Sequence, residues 1–470
     1  MAYPERINTA IVGGGPGGLA AAQSLGALLP RSEKVTLFEG GRKVRNPCPV
    51  LDKQTKCPGC GGQCNVIEGG GGACSAVSCG LLSKWPAGSG LEKYASIPEI
   101  QSLERQIISW LEQIHGSPLT LVEPHIEPAI IGRLAQEGIK NKAYASYEVL
   151  GQEFEDLIQQ TIEGIGRNPN VDMRFQTTVT SVVPNKHGGF DVVANNKREG
   201  MTNFHADNVI FAAGRTGKKH GVFEMWRQLG VEVGGIYGYT GIRIEGPVRP
   251  ELQRLREQVA DPKFIDDKAM RIFCFCPEGK VVGMRMHKHE LSDHSPLEIL
   301  EGCVEPGTGF GNFSIQQAQE FPSFDEYKRY METLVARYRA IGNLRLFAQS
   351  LTSLVNNTTP TAFPSSIQKR QTENVGSIRD LFDATDPYLV GDALEFLFKL
   401  NKVFSNGIIT PTTGVWAPEL HYWPEVILGP GLESTTASGI HVIGDISGVA
   451  RGIMQAMIGA KLAAAHIASK

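Results

Sequence analysis

A glycine-rich turn near the start of the chain constrains the fold more than any other feature. Gly13, Gly15 and Gly18 lie between a short apolar strand and a helix-forming run, and the next apolar strand ends at Glu39. This order of strand, glycine turn, helix, strand and acid is typical of a βαβ unit that binds a dinucleotide. The pyrophosphate would lie at the helix N-terminus, and the carboxylate of Glu39 would accept hydrogen bonds from an adenosine ribose.

The three glycines have different expected roles in such a unit. Gly13 permits a tight turn, Gly15 lets the backbone approach a pyrophosphate, and Gly18 lets the helix pack closely on the strand. The same turn and the end of the second strand are expected to contribute further cofactor-binding residues, namely Pro16, Gly17, Gly40 and Arg42.

Length and composition place this unit in a larger globular chain. The chain has 470 residues, of which 41% are hydrophobic and 20% charged, and its net charge is −3. These values exclude a disordered chain and disfavour a nucleic-acid binder with a broad basic face. No run approaches the ~20 apolar residues of a membrane span, and the N-terminus has no secretory pattern. We therefore expect a cytoplasmic protein.

The end of the chain resembles flavoproteins of the glutathione-reductase type. Gly444 and Asp445 follow a predicted strand, and Asp445 resembles the acid that these proteins use to bind the ribityl chain of FAD. The helix that begins near Gly452 and Ile453 would direct its N-terminus at the flavin ring. The resemblance therefore implies FAD as the cofactor.

Two segments in the middle of the chain extend this resemblance. The turn at Ala213 and Gly214 resembles the second small-residue turn of the same fold, and Val179 stands where such proteins contact adenine through backbone atoms. No second complete glycine fingerprint follows, so a dedicated NAD(P)H domain is not predicted. NAD(P)H is still considered as an electron donor from solution.

Nine cysteines form the second unusual feature, because six of them lie between Cys48 and Cys79. Four thiols in one long loop suit tetrahedral zinc or an iron–sulfur cluster, and the predicted ligands are Cys48, Cys57, Cys60 and Cys64. Zinc is expected first and a [4Fe–4S] cluster second, while a redox dithiol and inert loop cysteines stay open. The loop's last two cysteines, Cys74 and Cys79, are expected to be packing residues, with a spare metal ligand or a thiol near the flavin as the alternatives.

Four stretches together resemble the uncharacterised FAD-dependent dehydrogenases of bacteria and archaea. They are the glycine turn, the run at 64–73, the strands at 241–245 and 273–279, and the tail at 444–453. The resemblance implies an FAD-binding domain built from separated segments, with a mixed-sheet domain inserted, and it leaves the reaction undefined. The chain departs from this family at 78–81, where Ser-Cys-Gly-Leu replaces Ser-Asp-Gly-Lys.

We thus predict an α/β fold, with a Rossmann-like FAD-binding domain of discontinuous segments and an inserted mixed-sheet (α+β) substrate domain. The FAD-binding domain is assigned the cysteine-rich loop 42–90 and the segments 1–90, 145–235 and 430–470. The substrate domain is assigned the segments 91–144 and 236–429. Within it, residues 271–276 and 280–287 predict a hairpin.

Several side chains of the substrate domain are candidates for the site. Cys274 and Cys276 are predicted to be small buried hydrophobes, and Arg243 and Glu245 are predicted to be either a substrate contact or a surface pair. The aromatic candidates for the cavity are Trp416, His421, Tyr422 and Trp423. No sequence feature identifies a catalytic base.

The sequence favours an FAD-dependent oxidoreductase that transfers hydride or electrons to or from a small organic substrate, with an electron-transfer partner as a further expectation. Three alternatives stay open. They are a flavin monooxygenase, a flavin-dependent RNA-modifying enzyme and a non-catalytic flavin- or metal-binding assembly factor. The oligomeric state is not predicted.

Overall fold

A seven-stranded sheet forms the centre of the first domain. The computed structural model describes residues 4–44, 68–72, 80–149, 151–214, 221–287, 296–305, 307–368 and 374–470. The sheet has the strand order Val171–Phe175, Val35–Glu39, Glu5–Val12, Gly200–Phe211, Phe190–Asn196 and Thr177–Pro184, with Ile440–Val442 also paired to Gly200–Phe211. Its first four strands run parallel. Their carboxyl ends therefore meet at one edge, where open α/β sheets bind ligands.

Helices rich in small or apolar residues cover this sheet. They are Pro16–Leu28, Ile97–His115, Gly151–Ile165, Val222–Leu229 and Ile453–Ala468. The first and last of these helices pack closely, because a Cβ on Gly17 would already lie 3.3 Å from the backbone oxygen of Ala456. One apolar cluster joins the sheet and these helices.

The helix Ile97–His115 extends this cluster. Its apolar residues recur every three or four positions, so they form one stripe, and Ile100, Ile107 and Leu111 are buried against the first domain. The predicted boundaries place this segment in the substrate domain, whereas its packing is with the Rossmann-like layer. The domain boundaries stay a prediction.

The second sheet is antiparallel and has a separate apolar core. Its strand order is Phe347–Ser350, Gly414–Val426, Val233–Pro247, Phe310–Phe321, Met270–Cys276, Phe264–Ile265 and Lys140–Asn141. The helices associated with its core are Pro128–Gln136, Pro250–Gln258, Phe324–Gly342, Leu351–Val355, Ile378–Phe382 and Leu389–Val403. These helices cover one face of the sheet, and the opposite face is therefore left for other contacts.

The predicted hairpin of residues 271–276 and 280–287 is wrong. The strand Met270–Cys276 pairs with Phe310–Phe321, and Gly279–His287 pairs instead with Pro296–Val304 as a separate two-stranded sheet. An extra residue between Phe273 and Cys276 shifts the register of the first pair. Such a bulge bends the strand, so the chain leaves the sheet before a tight turn could pair the two segments.

Short elements complete the architecture. A small three-stranded sheet consists of Leu81–Ser83, Ser146–Glu148 and Thr120–Val122, and single 3₁₀ turns lie at Ser89–Lys93, Pro430–Leu432 and Gly444–Ser447. The largely parallel Rossmann-like sheet and the separate antiparallel sheet, each packed with helices, confirm the predicted α/β fold class. Among the helices that the structure describes, none is both long and apolar enough to cross a membrane.

Candidate active site

One cavity extends from the glycine turn to the second sheet. Its volume is 380 Å³. Most of the predicted cofactor-binding residues line it, namely Gly13, Gly15, Pro16, Gly17, Glu39, Gly40, Val179, Ala213, Gly214, Gly444, Asp445, Gly452 and Ile453. Gly18 and Arg42 are not among the described residues that line it. The structure thus brings together residues that are up to 440 positions apart in a chain of 470 residues, as the order of the motifs predicts.

The glycine turn has the close contacts that only glycine permits. Gly13 has a φ of +114°, and a Cβ there would lie 2.6 Å from the backbone oxygen of Ala212. A Cβ on Gly18 would lie 1.9 Å from the backbone oxygen of Gly13. A Cβ on Gly15 would instead meet no described atom within 4 Å, because it would point into the cavity.

Glu39 closes one end of the cavity. Its Oε2 accepts a hydrogen bond of 2.7 Å from the amide of Gly14, and its Oε1 accepts from Gly41 and Gly69 at 2.7 and 3.1 Å. Burial raises the pKa of Glu39, and these backbone hydrogen bonds oppose that rise. Each carboxylate oxygen has two lone pairs. The Oε2 atom therefore keeps the capacity to accept from a ligand hydroxyl.

Two helix N-termini open into the same cavity. The helix Pro16–Leu28 begins after Gly15, and Ile453–Ala468 begins after Gly452. No described side chain caps either of them, and no acidic residue lies in either first turn. Their first amides are therefore donors for negatively charged or electron-rich ligand atoms. The amide of Gly452 also donates to Oδ1 of Asp445 at 3.2 Å, which holds the acid beside the second N-terminus.

These features together fit a dinucleotide of the FAD type. The glycine turn leaves space at Gly15, where a pyrophosphate would approach. Among the described residues, Glu39 has a free acceptor position for a ribose hydroxyl. The two uncapped helix N-termini lie at separate points of one cavity. This fit rests on the geometry of the described residues. The assignment of individual residues to parts of the cofactor stays a prediction.

The face of the second sheet that is opposite its helices carries aromatic and charged side chains. We call it the inner face and define it as Tyr237, Tyr239, Arg271, Phe273, His421 and Trp423. Phe273 lines the cavity, and the ring of His421 lies 5.2 Å from its ring. Arg451, which precedes the second uncapped helix, lies 5.0 Å from the rings of both Tyr237 and Trp423. Arg451 thus connects the inner face to the N-terminus of Ile453–Ala468.

Arg271 is the main cation of the inner face. Its guanidinium lies 3.1 Å from the ring centre of Tyr239 and donates to Oε1 of Gln316 at 3.1 Å. Its Nε has no hydrogen-bond partner among the described residues. Burial lowers the pKa of Arg271 to about 10. The side chain is therefore still cationic at neutral pH, and no described carboxylate pairs with it.

The two tyrosines of the inner face share a hydrogen bond between their hydroxyls. Burial alone would raise the pKa of Tyr239, but Arg271 and the hydrogen bond from Tyr237 outweigh burial and lower it. Burial and the same hydrogen bond raise the pKa of Tyr237. Tyr239 is therefore the more acidic phenol of the pair, beside a guanidinium.

A buried polar network lies beside the inner face, on the same side of the sheet. Arg243 and Glu419 form an ion pair with contacts of 2.6 and 2.8 Å, and both side chains are fully buried. Glu419 also lies 3.1 Å from Nε2 of His421, whose Nδ1 lies 3.7 Å from Glu301 on the cavity wall. The network therefore places His421 between two carboxylates.

The sequence candidates of the second domain have different positions. His421 and Trp423 lie on the inner face, whereas Tyr422 packs between the sheet and the helix Phe324–Gly342, with ring contacts to Tyr327 and Phe321. Trp416 lies in a third apolar cluster. None of the four aromatic candidates is among the described residues that line the cavity. Tyr422 points away from it, because neighbouring strand residues point to opposite faces.

Arg243 and Glu245 are predicted to be either a substrate contact or a surface pair, and the structure excludes one of these roles. A surface pair is excluded because both side chains are buried. Glu245 accepts a hydrogen bond of 2.7 Å from the indole of Trp416, away from the partners of Arg243. Both residues therefore belong to the interior of the sheet.

Sequence reasoning missed several residues of this site. Arg271 and Phe273 alternate on one strand, and this pattern of period two could have identified them as one face. Cys274 lines the cavity although a packing role was predicted for it. The bulge that turns it there leaves no pattern in the sequence. Arg451 directly precedes the predicted flavin-facing helix, and that position could have identified it.

The predicted metal ligands Cys48, Cys57, Cys60 and Cys64 lie outside the described residues, as do Cys74 and Cys79. Within the described part of the chain, no group of three or more His, Cys, Asp or Glu side chains could hold a metal ion. The metal prediction therefore rests on cysteine spacing alone.

Comparisons with known proteins give only distant similarity. The chain matches no protein-family model and no curated protein sequence. Among solved structures, pyridoxine 4-oxidase from Mesorbium loti is 11% identical with a TM-score of 0.45, covering 98% of this chain and 99% of that one. Glycine oxidase from Geobacillus kaustophilus is 14% identical with a TM-score of 0.41, covering 99% and 95% of the two chains. At these identities and TM-scores, the similarity supports no conclusion about the activity of this chain.

Proposed function

We propose that this chain is an FAD-dependent oxidoreductase that transfers hydride or electrons to or from a small organic substrate. One observation carries the proposal. A single cavity runs from the glycine turn and Glu39, past the N-terminus of Ile453–Ala468, to the inner face of the second sheet. A nucleotide-type end and a polar, aromatic end are thus continuous, which is the arrangement that a flavin enzyme with a separate substrate domain requires.

Particular residues would hold the cofactor. The amides at the start of Pro16–Leu28 would bind the pyrophosphate, Glu39 the adenosine ribose, and Asp445 the ribityl chain. The amides that follow Gly452 would favour negative charge on the ring. When bound, FAD supplies the two-electron chemistry, and the protein supplies orientation and electrostatics.

The inner face favours a substrate with an anionic group. Arg271 is a cation with an unused Nε donor among the described residues, and Arg451 lies nearby over two aromatic rings. Guanidinium groups bind carboxylates in a planar, bidentate geometry. We therefore favour a small carboxylate-bearing substrate, with Phe273 as an apolar contact.

The network beside the inner face is suited to proton transfer. His421 lies between Glu419 and Glu301, and Glu301 reaches the cavity wall. A histidine that contacts one carboxylate at 3.1 Å and lies 3.7 Å from a second is placed to relay a proton between them. Arg243 fixes Glu419 in place, so it acts as a positioning residue.

The metal site and the electron donor are further parts of this proposal. Zinc, or a [4Fe–4S] cluster, would occupy the four thiols of Cys48, Cys57, Cys60 and Cys64, and NAD(P)H would act as a diffusing donor. Both rest on the sequence alone. Elemental analysis of anaerobically purified protein would distinguish zinc from iron, and a metal-free protein would contradict the site.

Binding of flavins to the flavin-free protein tests the main proposal. We expect FAD to bind with one molecule per chain and FMN to bind much more weakly, because FMN lacks the adenosine that the glycine turn and Glu39 would hold. Anaerobic addition of small carboxylates to the FAD complex should then bleach flavin absorbance for at least one of them. Equal affinity for FAD and FMN, or binding of neither, would contradict the proposal.

A further inference from the structure

Two thiols lie at the part of the cavity wall that the second sheet contributes. Cys274 is partly exposed and lines the cavity, and Cys276, two residues further on, is fully buried. Neither of them is in a disulfide. The Sγ atom of Cys274 lies 3.4 Å from the backbone oxygen of Gly302, and that of Cys276 lies 3.7 Å from the backbone oxygen of Cys274. One thiol is therefore accessible from the cavity, with a second close to it.

A β-bulge sets the conformation of this pair. Phe273 pairs with Ser314 and Cys276 with Asn312, so the strand has one extra residue between them. Cys274 occupies the left-handed region with a φ of +47°, which is rare for a residue with a side chain. On a regular strand, the Cα atoms of residues i and i+2 are near the upper limit for a disulfide. The bulge bends the strand at this point, so the Cα–Cα distance between Cys274 and Cys276 differs from that of a regular strand.

A buried cation lies beside the thiols. Nη1 of Arg243 donates to the backbone oxygen of Cys274 at 3.2 Å. A Cβ on Gly302 would lie 2.2 Å from this Nη1 atom and 3.0 Å from Sγ of Cys276. Only glycine at position 302 therefore leaves room for a guanidinium next to both sulfur atoms.

The groups around Cys274 lower the pKa of its thiol. A hydrogen bond from Cys276 lowers the pKa of Cys274, burial opposes this, and Arg243 lowers it further. Glu301 and Glu419 face the same thiol and act against Arg243. The pKa of Cys274 is nevertheless below its ordinary value, which is the condition for a reactive cysteine.

We propose that Cys274 and Cys276 are a redox-active dithiol that opens onto the cavity and exchanges with small-molecule disulfides. Packing alone would require neither access from the cavity nor a cation beside the pair. Strained and accessible disulfides have more oxidising potentials than structural ones, and they are the labile or catalytic ones. The bulge and the cavity give this pair both properties.

The exchange has two balanced steps. The Cys274 thiolate attacks one sulfur atom of a small disulfide, whose S–S bond breaks and releases one thiolate, and a mixed disulfide forms on Cys274. The Cys276 thiolate then attacks Sγ of Cys274 and displaces the second small thiol. Overall, two protein thiols are oxidised to one disulfide and one small disulfide is reduced to two thiols, with the protons returned to the released thiolates.

Peptide mapping of the full-length protein tests this proposal directly. Trypsin cleaves after Arg271 and Lys280, so both thiols fall in a peptide at 272–280 that contains no other cysteine. The reduced protein is treated with oxidised glutathione, blocked with an alkylating agent and digested. We expect this peptide to lose two hydrogens and both alkylation sites, and to regain them when reduced glutathione is added. Two alkylated thiols at every glutathione ratio would overturn the proposal.

Two variants separate the roles of the thiols. In Cys276→Ser the exchange should stop after its first step, so glutathione should stay attached to Cys274. Cys274→Ser is the matched control, and its Cys276 should stay unmodified because it is buried. Glutathione attached to Cys276 instead, or to neither thiol, would contradict the assigned order. If a variant fails to fold, the wild-type peptide alone still decides the question, and the readout does not depend on bound FAD.

Discussion

At the scale of single residues, a few buried charges hold the side chains beside the inner face in place. Arg243 and Glu419 are both fully buried and form two hydrogen bonds, and Gln316 adds a third to the same carboxylate at 3.0 Å. Glu419 has a lowered pKa because Arg243 and His421 outweigh the effect of burial. This arrangement keeps a charged network inside a sheet, where an unpaired member would be costly.

Arg243→Met should strongly destabilise the protein, because it leaves Glu419 buried without its counter-charge. We expect the free energy of unfolding to fall by about 3–5 kcal/mol. The double variant with Glu419→Met should recover part of this loss, because no unpaired charge remains. Urea denaturation measures both effects. Lys268→Met, which removes a surface pair with Asp392 and Glu395, is the control and should change stability little.

Arg271→Met should weaken binding of a carboxylate substrate by roughly ten- to a hundredfold, the loss expected for a charged hydrogen bond. Arg271→Lys keeps the cation but not the planar fork, so it should have an intermediate affinity. Titration of the FAD complex with the carboxylate, followed by flavin absorbance, measures these constants. Equal affinity in all three proteins would show that the anionic group binds elsewhere.

His441 makes the stability of the first domain depend on pH. Burial lowers its pKa from 6.5 to about 4, against the opposing effects of Gly431 and Glu433. The unfolded chain therefore takes up a proton below pH 6.5 that the folded chain does not. The stability contributed by neutral His441 is complete above pH 6.5 and is lost as the pH falls to about 4.

His441→Asn should remove this part of the pH dependence, because asparagine can still donate to Gly431 but does not titrate. Over this window the wild-type protein should lose at most about 3 kcal/mol more than the variant. Urea denaturation at several pH values measures the difference. His205→Asn, on the same sheet but partly exposed, serves as the control and should follow the wild type.

At the scale of elements, sequence patterns predicted those structures that depend on local chemistry. The sequence predicts helices over 99–114 and 324–341, and the structure has them as Ile97–His115 and Phe324–Gly342. Both predictions hold because apolar periodicity and caps act within one helix. The predicted hairpin at 271–287 is wrong because the pairing of its two strands depends on partners that are distant in the sequence. The prediction for Tyr422 is wrong for a related reason, since the environment of a strand residue depends on which face of the sheet the helices cover.

The contact between the first strand and the first helix depends on one position. Gly18→Ala would place a Cβ 1.9 Å from the backbone oxygen of Gly13. We expect a loss of stability of about 1–3 kcal/mol from overpacking, together with weaker FAD retention. Gly164→Ala, on the exposed side of Gly151–Ile165, meets no described atom. It should stabilise by roughly 0.5–1 kcal/mol. Thermal unfolding compares the two, and similar effects would contradict the proposed contact.

At the scale of the whole molecule, the cavity exists because two layers with separate cores meet. The sequence could predict the nucleotide-type end of this cavity, because each of its motifs is local and their order is characteristic. It could not predict the opposite end. Arg271 and Cys274 come from one strand of the second sheet and His421 from another, and only strand pairing and a bulge bring them together.

The central claim is that FAD occupies this cavity with its pyrophosphate beside Gly15, and the FAD affinity of one variant tests it most directly. Gly15→Ala adds a Cβ that meets no described protein atom and points into the cavity. The flavin-free variant should therefore fold and melt like the wild type, while its dissociation constant for FAD rises at least roughly tenfold. Gly132→Ala, on an exposed helix with equal free space, should bind FAD like the wild type. Unchanged FAD affinity in Gly15→Ala, or no FAD binding by the wild-type protein, would contradict the claim.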